Sequence, residues 1–196
     1  GIRCSNGVYT LVGSSYETHL LEKSRVVSHT QGERTFHIFY QILSGDSDFK
    51  RDVLGPEWAD ASIKDFRMLS EEGDCTIGGR SNEHMLAETM TALDRFGFRT
   101  DALRELARAL GAVLRLGNLL FEETDDLVAM ISDSVDLDLL EAVIGIEKSV
   151  VTKAFTRMTI RTQTDEVEVP LSLNDAQESC RAFTKCVYSI IFDFIV

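Results

Sequence analysis

Apolar residues recur at helical spacing along two long stretches of the chain, and this pattern constrains the fold more than any other feature. The first stretch reads LRELARALGAVLRLGN, and its apolar residues hold the helical period of 3.6 residues up to Asn118. The second begins after Ser172 and Asp175, which stand at the spacing of a helix start, and runs to the end of the sequence. Because both stretches predict long amphipathic helices, the sequence predicts a mainly α-helical protein.

Strand-like segments precede the helices. Residues 2–10 and 16–27 are rich in Ile, Val, Thr and Tyr and flank a Gly-Ser-Ser turn, so they predict two paired strands. Two strands alone do not form a stable sheet, and we expect these to belong to a larger one. The sequence starts in strand-like alternation without Met and ends in a helical pattern without a stop signal. We therefore expect a segment of a longer protein.

Shorter helices are predicted between the strands and the end of the chain. Thr30 and Glu33 stand at capping-box spacing and predict a helix that runs to Gly45. Asn82 is the predicted N-cap of another helix, and two more are predicted at about 133–144 and 147–157. The fold class is an α/β fragment, predominantly α-helical, with two strands of a larger central sheet followed by a helical subdomain with one surface β-hairpin.

The surface β-hairpin is predicted at about 157–171. Two alternating apolar stretches flank the polar letters TQTDE there, which is the pattern of two antiparallel strands and a turn. From the hairpin pattern alone, a polar hairpin tip is the favoured interpretation of Asp165-Glu166 over a binding role. The acidic letters after Phe121, EETDD, predict a solvated surface loop.

Composition and motifs exclude several kinds of site. The 20 Lys and Arg against 32 Asp and Glu give a net charge of −12, which argues against nucleic acid and anionic membranes as partners. No phosphate-binding glycine loop occurs, and the His and Cys residues do not stand at metal-ligand spacing. We expect no catalytic residue, no cofactor-binding residue and no metal ligand within the chain, and no membrane contact.

Three blocks of the sequence, in order, resemble the motor domain of the myosins. They read YETHLLEKSRVVSHTQGERTFHIFYQILSG, LARALGAVLRLGNLLF and VPLSLNDAQESCRAFTKCVYSIIFDFIV, and they span nearly the whole chain. The chain departs from the usual family residue at His19, Thr35, Arg115, Arg181 and Phe194. These departures indicate a divergent myosin.

The resemblance implies where the chain lies in a motor. It would be the segment between the first and second nucleotide switches, with residues 1–27 forming transducer strands and residues 28–196 most of the upper actin-binding subdomain. The parent would be an actin-activated ATPase of the actin cytoskeleton in the cytoplasm, part of a myosin complex. Its ATP and Mg²⁺ would be bound by residues outside this chain, and the isolated segment would be inactive. Tail and light-chain partners are not encoded here.

The resemblance also assigns two groups of functional residues. The hairpin at 157–171 matches the actin-contacting loop often called the cardiomyopathy loop, and Asp165 falls at its position for a fixed acidic residue. The expected actin-binding residues are Arg157, Arg161, Thr162, Gln163, Thr164, Asp165 and Glu166. Three charged residues would couple the sheet on the nucleotide side to the actin-binding subdomain. They lie at the end of the second predicted strand and are Glu22, Lys23 and Arg25.

Two other hypotheses are compatible with parts of the sequence. The chain could be a stand-alone helical module for protein interaction without motor activity, or a small enzyme with an unfamiliar site. The motor hypothesis requires a phosphate-binding loop and a first switch upstream of Gly1. An enzyme would show turnover by the isolated chain.

Overall fold

The structure is a computed structural model that describes residues 2–5, 7–13, 21–30, 32–69, 78–132, 134–162 and 165–196. Helices dominate it, and the predominantly helical α/β class is confirmed. The helices are α1 (His37–Ser44), α2 (Ser47–Val53), α3 (Asn82–Arg95), α4 (Thr100–Asn118), α5 (Ser134–Ile144), α6 (Lys148–Thr156) and α7 (Leu173–Ile195). The strands are β1 (Ile2–Ser5), β2 (Val8–Leu11), β3 (Phe121–Glu123), β4 (Ala129–Ile131), β5 (Arg157–Arg161) and β6 (Glu166–Pro170).

The larger hydrophobic cluster packs α1, α3 and the first part of α4 together. Val113 and Leu114 of α4 are fully buried in it, as the apolar repeat of that helix predicts. Tyr188 of α7 joins the cluster, and its ring stacks on Phe36 at 4.5 Å between centroids and lies 5.6 Å from Phe39. The aromatic start of α1 is therefore fastened to the last helix of the chain.

A second cluster joins the end of α4 to α5, α6 and α7. Leu140 of α5 is fully buried there, and Phe155 of α6 meets Phe183 of α7 edge to face at 5.6 Å. Cys180 of α7 and Leu116 of α4 complete the contact. This cluster supports the segments that carry β3 to β6.

A buried ion pair stands between the two clusters. Nη1 of Arg115 lies 2.9 Å from Oδ1 of Asp136, and both side chains are only 10% exposed. The guanidinium also lies 4.5 Å from the ring centroid of Trp58 and 5.2 Å from that of Phe66. Arg115 thus ties the start of α5 to the aromatic side of the larger cluster.

Most predicted helix boundaries agree with the structure, but two starts differ. The Ser172 hydroxyl accepts a hydrogen bond from the Asp175 backbone N–H at 3.2 Å, so the predicted start of α7 is confirmed. The N-cap of α3 is Ser81 rather than Asn82. The capping box at Thr30 and Glu33 is wrong, because α1 begins at His37.

The predicted strands at the start of the chain also need correction. Residues 2–10 form two strands of one antiparallel hairpin, with Gly7 at φ +76° between them. Residues 14–20 lie outside the described part, but Lys23–Val26 form a 3₁₀ helix, so the predicted strand does not continue there. The 3₁₀ turn places Val26 at 0% exposure, a burial that a strand alternation does not foresee.

The acidic loop after Phe121 is also more ordered than expected. It contains the antiparallel pair β3–β4, in which Phe121 faces Ile131. Three two-stranded hairpins are therefore found in the described part of the chain, whereas the sequence predicts one strand pair at its start and one surface hairpin. Within the same residues, no helix combines the length and apolar content needed to cross a bilayer.

Candidate functional site

The hairpin β5–β6 has the register that the sequence alternation predicts. Arg157 pairs with Pro170 at its base and Arg161 with Glu166 near its tip. The Leu171 backbone N–H donates to the Thr156 carbonyl at 2.9 Å, so the base is closed where α6 ends. The hairpin is therefore held at its base between two helices of the second cluster.

One face of this hairpin is apolar and exposed. Directly paired residues of an antiparallel sheet point to the same side, which puts Met158 with Val169 and Ile160 with Val167. Met158 is 47% exposed, Ile160 41% and Val167 50%. An apolar face left uncovered on a two-stranded hairpin is typical of a surface that another molecule covers.

The opposite face is charged and internally paired. Nε of Arg161 lies 2.7 Å from Oε1 of Glu166, and Lys153 of α6 forms an ion pair with Glu168. These side chains are 43% to 79% exposed, so their ion pairs are screened by water and contribute little to stability. The charged face orients the hairpin on α6 and leaves its apolar face free of the helical body.

The tip of the hairpin is closed by Thr162 and Asp165. The Thr162 backbone N–H donates to the Asp165 carbonyl at 2.8 Å, and the Thr162 hydroxyl accepts from the Asp165 backbone N–H at 3.0 Å. The same hydroxyl lies 3.0 Å from the Asp165 carbonyl. Of the predicted residues, Gln163 and Thr164 lie outside the described part. The other five come together on this one exposed hairpin.

The acidic hairpin β3–β4 lies beside the base of β5–β6. The Ala129 backbone N–H donates to the Leu171 carbonyl at 3.0 Å, which ties β4 to the residue that follows β6. Glu122 and Glu123 of β3 are exposed, as are Asp125 and Asp126 in the turn. The acidic turn and the projecting hairpin thus belong to one edge of the molecule.

Arg25 is the centre of a group of hydrogen bonds that includes the predicted coupling residue Glu22. It lies in the 3₁₀ helix and not on a strand. Its Nε donates to Oε2 of Glu22 at 2.9 Å, and its Nη1 donates to Oε2 of Glu33 at 2.9 Å and to the Arg34 carbonyl at 3.2 Å. The hydrogen bonds that Arg25 donates to Glu22 and then to Glu33 raise its pKa above the ordinary value. Glu33 therefore accepts a hydrogen bond from Arg25 and does not cap α1, which begins at His37.

The 3₁₀ turn that carries Arg25 packs against α7. Lys23 and Ser24 form one side of a groove, and α7 forms the other with Ala182, Lys185, Cys186, Ser189 and Ile190. Beside this turn, burial followed by the charges of Arg34 and Arg25 lowers the pKa of His37. The three predicted coupling residues are therefore neighbours, with Lys23 facing α7 and Glu22 paired to Arg25.

Among the described residues, no group of three or more His, Cys, Asp or Glu could hold a metal ion. Burial raises the pKa of the Cys180 thiol to about 11 and raises the pKa of the Tyr188 hydroxyl, so both groups stay protonated at neutral pH. Neither is an activated nucleophile.

Sequence reasoning missed two features of the site. The apolar face of β5–β6 was visible as the alternation of Met158, Ile160, Val167 and Val169, but was counted only as evidence for strands. Glu33 was assigned to a helix cap, and no sequence signal distinguishes that role from a partner of Arg25.

Comparisons with known proteins agree with the resemblance seen in the sequence. A family model described as myosin head (motor domain) matches residues 4–196. Unconventional myosin-Ih of Homo sapiens is 33% identical over 189 residues, which cover 94% of this chain and 18% of that protein. Myosin-1 of Laccaria bicolor is 34% identical over 200 residues, covering 97% of this chain and 15% of that protein. Myosin-2B of Naumovozyma castellii is 30% identical over 187 residues, which cover 95% of this chain and 13% of that protein. The chain spans less than a fifth of the length of these relatives.

Proposed function

The chain belongs to the myosin head (motor domain) family, and we propose that it supplies part of the actin-binding surface of an ATP-driven motor of the cytoplasmic actin cytoskeleton. In this proposal the chain also couples the actin side to a nucleotide site formed elsewhere in the protein. Residues 1–27 contribute to the transducer sheet and residues 28–196 to the upper actin-binding subdomain. The whole protein hydrolyses ATP and the segment alone does not.

The residues present do not fit an ATP–Mg²⁺ site. The sequence holds no phosphate-binding glycine loop, and its described residues hold no cluster suited to a metal ion. We therefore assign no step of phosphoryl transfer to this chain. Purified 1–196 is expected to show no ATP hydrolysis in a phosphate-release assay, and measurable turnover would contradict this assignment.

The observation that carries the actin-binding proposal is the uncovered hairpin β5–β6. It presents an apolar face with Met158 and Ile160 and, at its tip, the exposed acidic residues Asp165 and Glu166. Apolar contact supplies affinity, and exposed charges at the rim supply orientation and association rate. A filament contact that uses both would explain why the apolar face of this hairpin is exposed.

Substitution of Asp165 by Ala in the full-length protein tests the proposal. The expected result is a several-fold weaker actin activation of the ATPase with nearly unchanged basal ATPase, because the residue lies on an exposed tip far along the hairpin from the helical body. Asp101→Ala is the matched control, since Asp101 is 97% exposed at the first turn of α4 and belongs to neither hairpin. Equal loss of basal and activated ATPase in Asp165→Ala would mean a structural role and would contradict the proposal.

The coupling proposal rests on the cluster around Arg25. This side chain joins the 3₁₀ turn to the segment before α1, and the turn itself packs against α7. Strain applied to α7 would therefore reach the chain segment before α1 through one set of charge-assisted hydrogen bonds.

Arg25→Ala in the full-length protein is expected to lower actin activation several-fold while actin affinity in cosedimentation stays near its original value. Arg51→Ala is the control, because Arg51 makes an exposed ion pair with Asp48 at the same three-residue spacing as Arg25 and Glu22. Identical behaviour of the two variants would refute the coupling role of Arg25.

A further inference from the structure

A cavity of about 290 Å³ lies between the end of α4, the start of β3 and α7. Its floor is apolar and includes Val27, Met68, Leu116 and Leu119. Gly117 allows the Met68 side chain to pack directly on α4, because any side chain at this position would overlap Met68. The cavity is therefore built by packing and is not a gap between unrelated surface loops.

Among the described residues, the charged ones that line this cavity are two arginines. Arg67 comes from the loop before α3 and Arg181 from α7, and both residues are exposed, so they stand where the cavity meets solvent. No carboxylate is among the described lining residues, although the chain as a whole carries a net charge of −12. Two arginines at a cavity whose described lining has no carboxylate create a local site for an anion, although the protein as a whole is acidic.

Both guanidinium groups can reach a ligand. The Arg67 backbone N–H is fixed by Asn118 Oδ1 at 2.9 Å, and within the described part of the chain its side chain makes no ion pair. Arg181 is bonded to Glu178 at 2.6 Å, but both side chains of that pair are more than half exposed, so the pair contributes little and can exchange.

The remaining polar wall of the cavity is neutral. Gln177, Cys180 and Thr184 of α7 line it. Burial holds the Cys180 thiol in its protonated form, and its Sγ lies 3.5 Å from the Leu116 carbonyl. No fixed negative charge in the described wall opposes an anion.

We propose that this cavity is a binding site for a small amphipathic anion, a carboxylate or phosphate monoester with a compact apolar group. The anionic end lies between Arg67 and Arg181, and the apolar group lies on the floor formed by Met68, Leu116 and Leu119. Guanidinium groups recognise both kinds of anion through paired hydrogen bonds. The volume is at the lower end of the range of small-molecule pockets, about 300 Å³, which limits the ligand to a single ring or a short chain.

The test measures binding of three probes to the full-length protein by ligand-observed NMR. The probes are 4-phenylbutyrate, phenyl phosphate and the neutral amide 4-phenylbutyramide. The expected result is binding of the anionic probes at millimolar concentration or below, with the amide at least about tenfold weaker because it cannot form the charge-assisted hydrogen bonds. The ratio of phenylbutyrate to phenyl phosphate affinity then tells which anion the site prefers.

Variants assign the binding to this cavity. Arg67→Gln and Arg181→Gln should each weaken the anionic probes about tenfold. Gln177→Glu adds a carboxylate of nearly the same shape to the wall and should weaken them at least as much while the amide is unaffected. Arg108→Gln removes the same charge from an arginine that does not line the cavity and should change nothing.

Three outcomes would overturn the proposal, provided that circular dichroism and melting temperature show the variants to be folded. The first is absence of binding of either anion at millimolar concentration. The second is an amide that binds as well as the carboxylate, which would mean a merely apolar cavity. The third is equal weakening by Arg108→Gln, which would mean a general effect of net charge.

Discussion

The hairpins β3–β4 and β5–β6 start from the same edge of the helical body but differ in what covers them. In β3–β4, Ala129 is 4% exposed, and Phe121 and Ile131 pack against the second hydrophobic cluster. In β5–β6, every residue of β5 is exposed, and so is every residue of β6 except the half-buried Val169. One hairpin is thus part of the packed body and the other projects from it.

This difference shows how a two-stranded sheet is stabilised in each setting. A hairpin alone is marginal in water, so β3–β4 depends on burial of one face. The projecting hairpin depends on its closed base and on the pairing of its own two strands, which leaves its apolar face available. The function proposed for β5–β6 is therefore compatible with its weak attachment, whereas β3–β4 is held too closely to present both faces to a partner.

The largest effect is expected from breaking the support beneath β3–β4 and α5. Arg115→Ala leaves the Asp136 carboxylate buried without its cation, and the free energy of unfolding should fall by about 3–5 kcal/mol. The double variant Arg115→Met with Asp136→Leu should recover most of the loss, because no buried charge remains. Urea unfolding of the purified chain measures both free energies of unfolding, and a loss below about 1 kcal/mol for Arg115→Ala would contradict the stabilising role assigned to this ion pair.

A matched pair of substitutions compares the two hairpins directly. Ile131→Ala removes methyl groups that pack on the second cluster and should lower the free energy of unfolding by about 1–2 kcal/mol. Ile160→Ala, at an exposed position of β5, should change it by about 0.5 kcal/mol or less. Equal losses in urea unfolding would mean that β5–β6 is as firmly packed as β3–β4, and the comparison would fail.

A smaller effect is expected from the ion pair that joins β5–β6 to α6. Lys153→Ala should lower the free energy of unfolding by about 0.2–1 kcal/mol, because both Lys153 and Glu168 are largely exposed. At about 1 M salt the difference from the unsubstituted chain should disappear, since the Debye length is then about 3 Å. A loss that persists at high salt would point to packing by the lysine stem.

The smallest expected effect is on the pH dependence of stability. It involves His37 of α1, because the described residues of both hairpins contain no His. Because the pKa of His37 is lowered from 6.5 in the folded chain, the unfolded chain binds its proton more strongly. This contribution to stability is present in full above about pH 6.5 and is lost as the pH falls below it. His37→Gln should make the fall in melting temperature between about pH 6.5 and pH 5.5 shallower, and an unchanged slope would assign the acid sensitivity to other groups.

Local signals predicted a large part of the fold. The start of α7 at Ser172, the break at Gly145 between α5 and α6, and the register around the polar tip of β5–β6 each depend on residues within a few positions of one another. The sequence predictions were wrong where the same residues are compatible with two local structures. The sequence is equally compatible with Glu33 in a capping box and with Glu33 in an ion pair. Residues Lys23–Val26 alternate as a strand would, but they form a 3₁₀ turn that buries Val26.

The sequence by itself determined the order of the long helices and the presence of the hairpin at 157–171, because helical periodicity and turn residues act between neighbouring positions. The family followed from the three sequence blocks that resemble the myosin motor domain. Only the tertiary structure decided that Arg115 is paired in the interior, that β3–β4 is anchored while β5–β6 is not, and that Arg67 and Arg181 share a cavity. These facts depend on contacts between segments far apart in the chain. Burial is the sum of such contacts, and no local pattern encodes it.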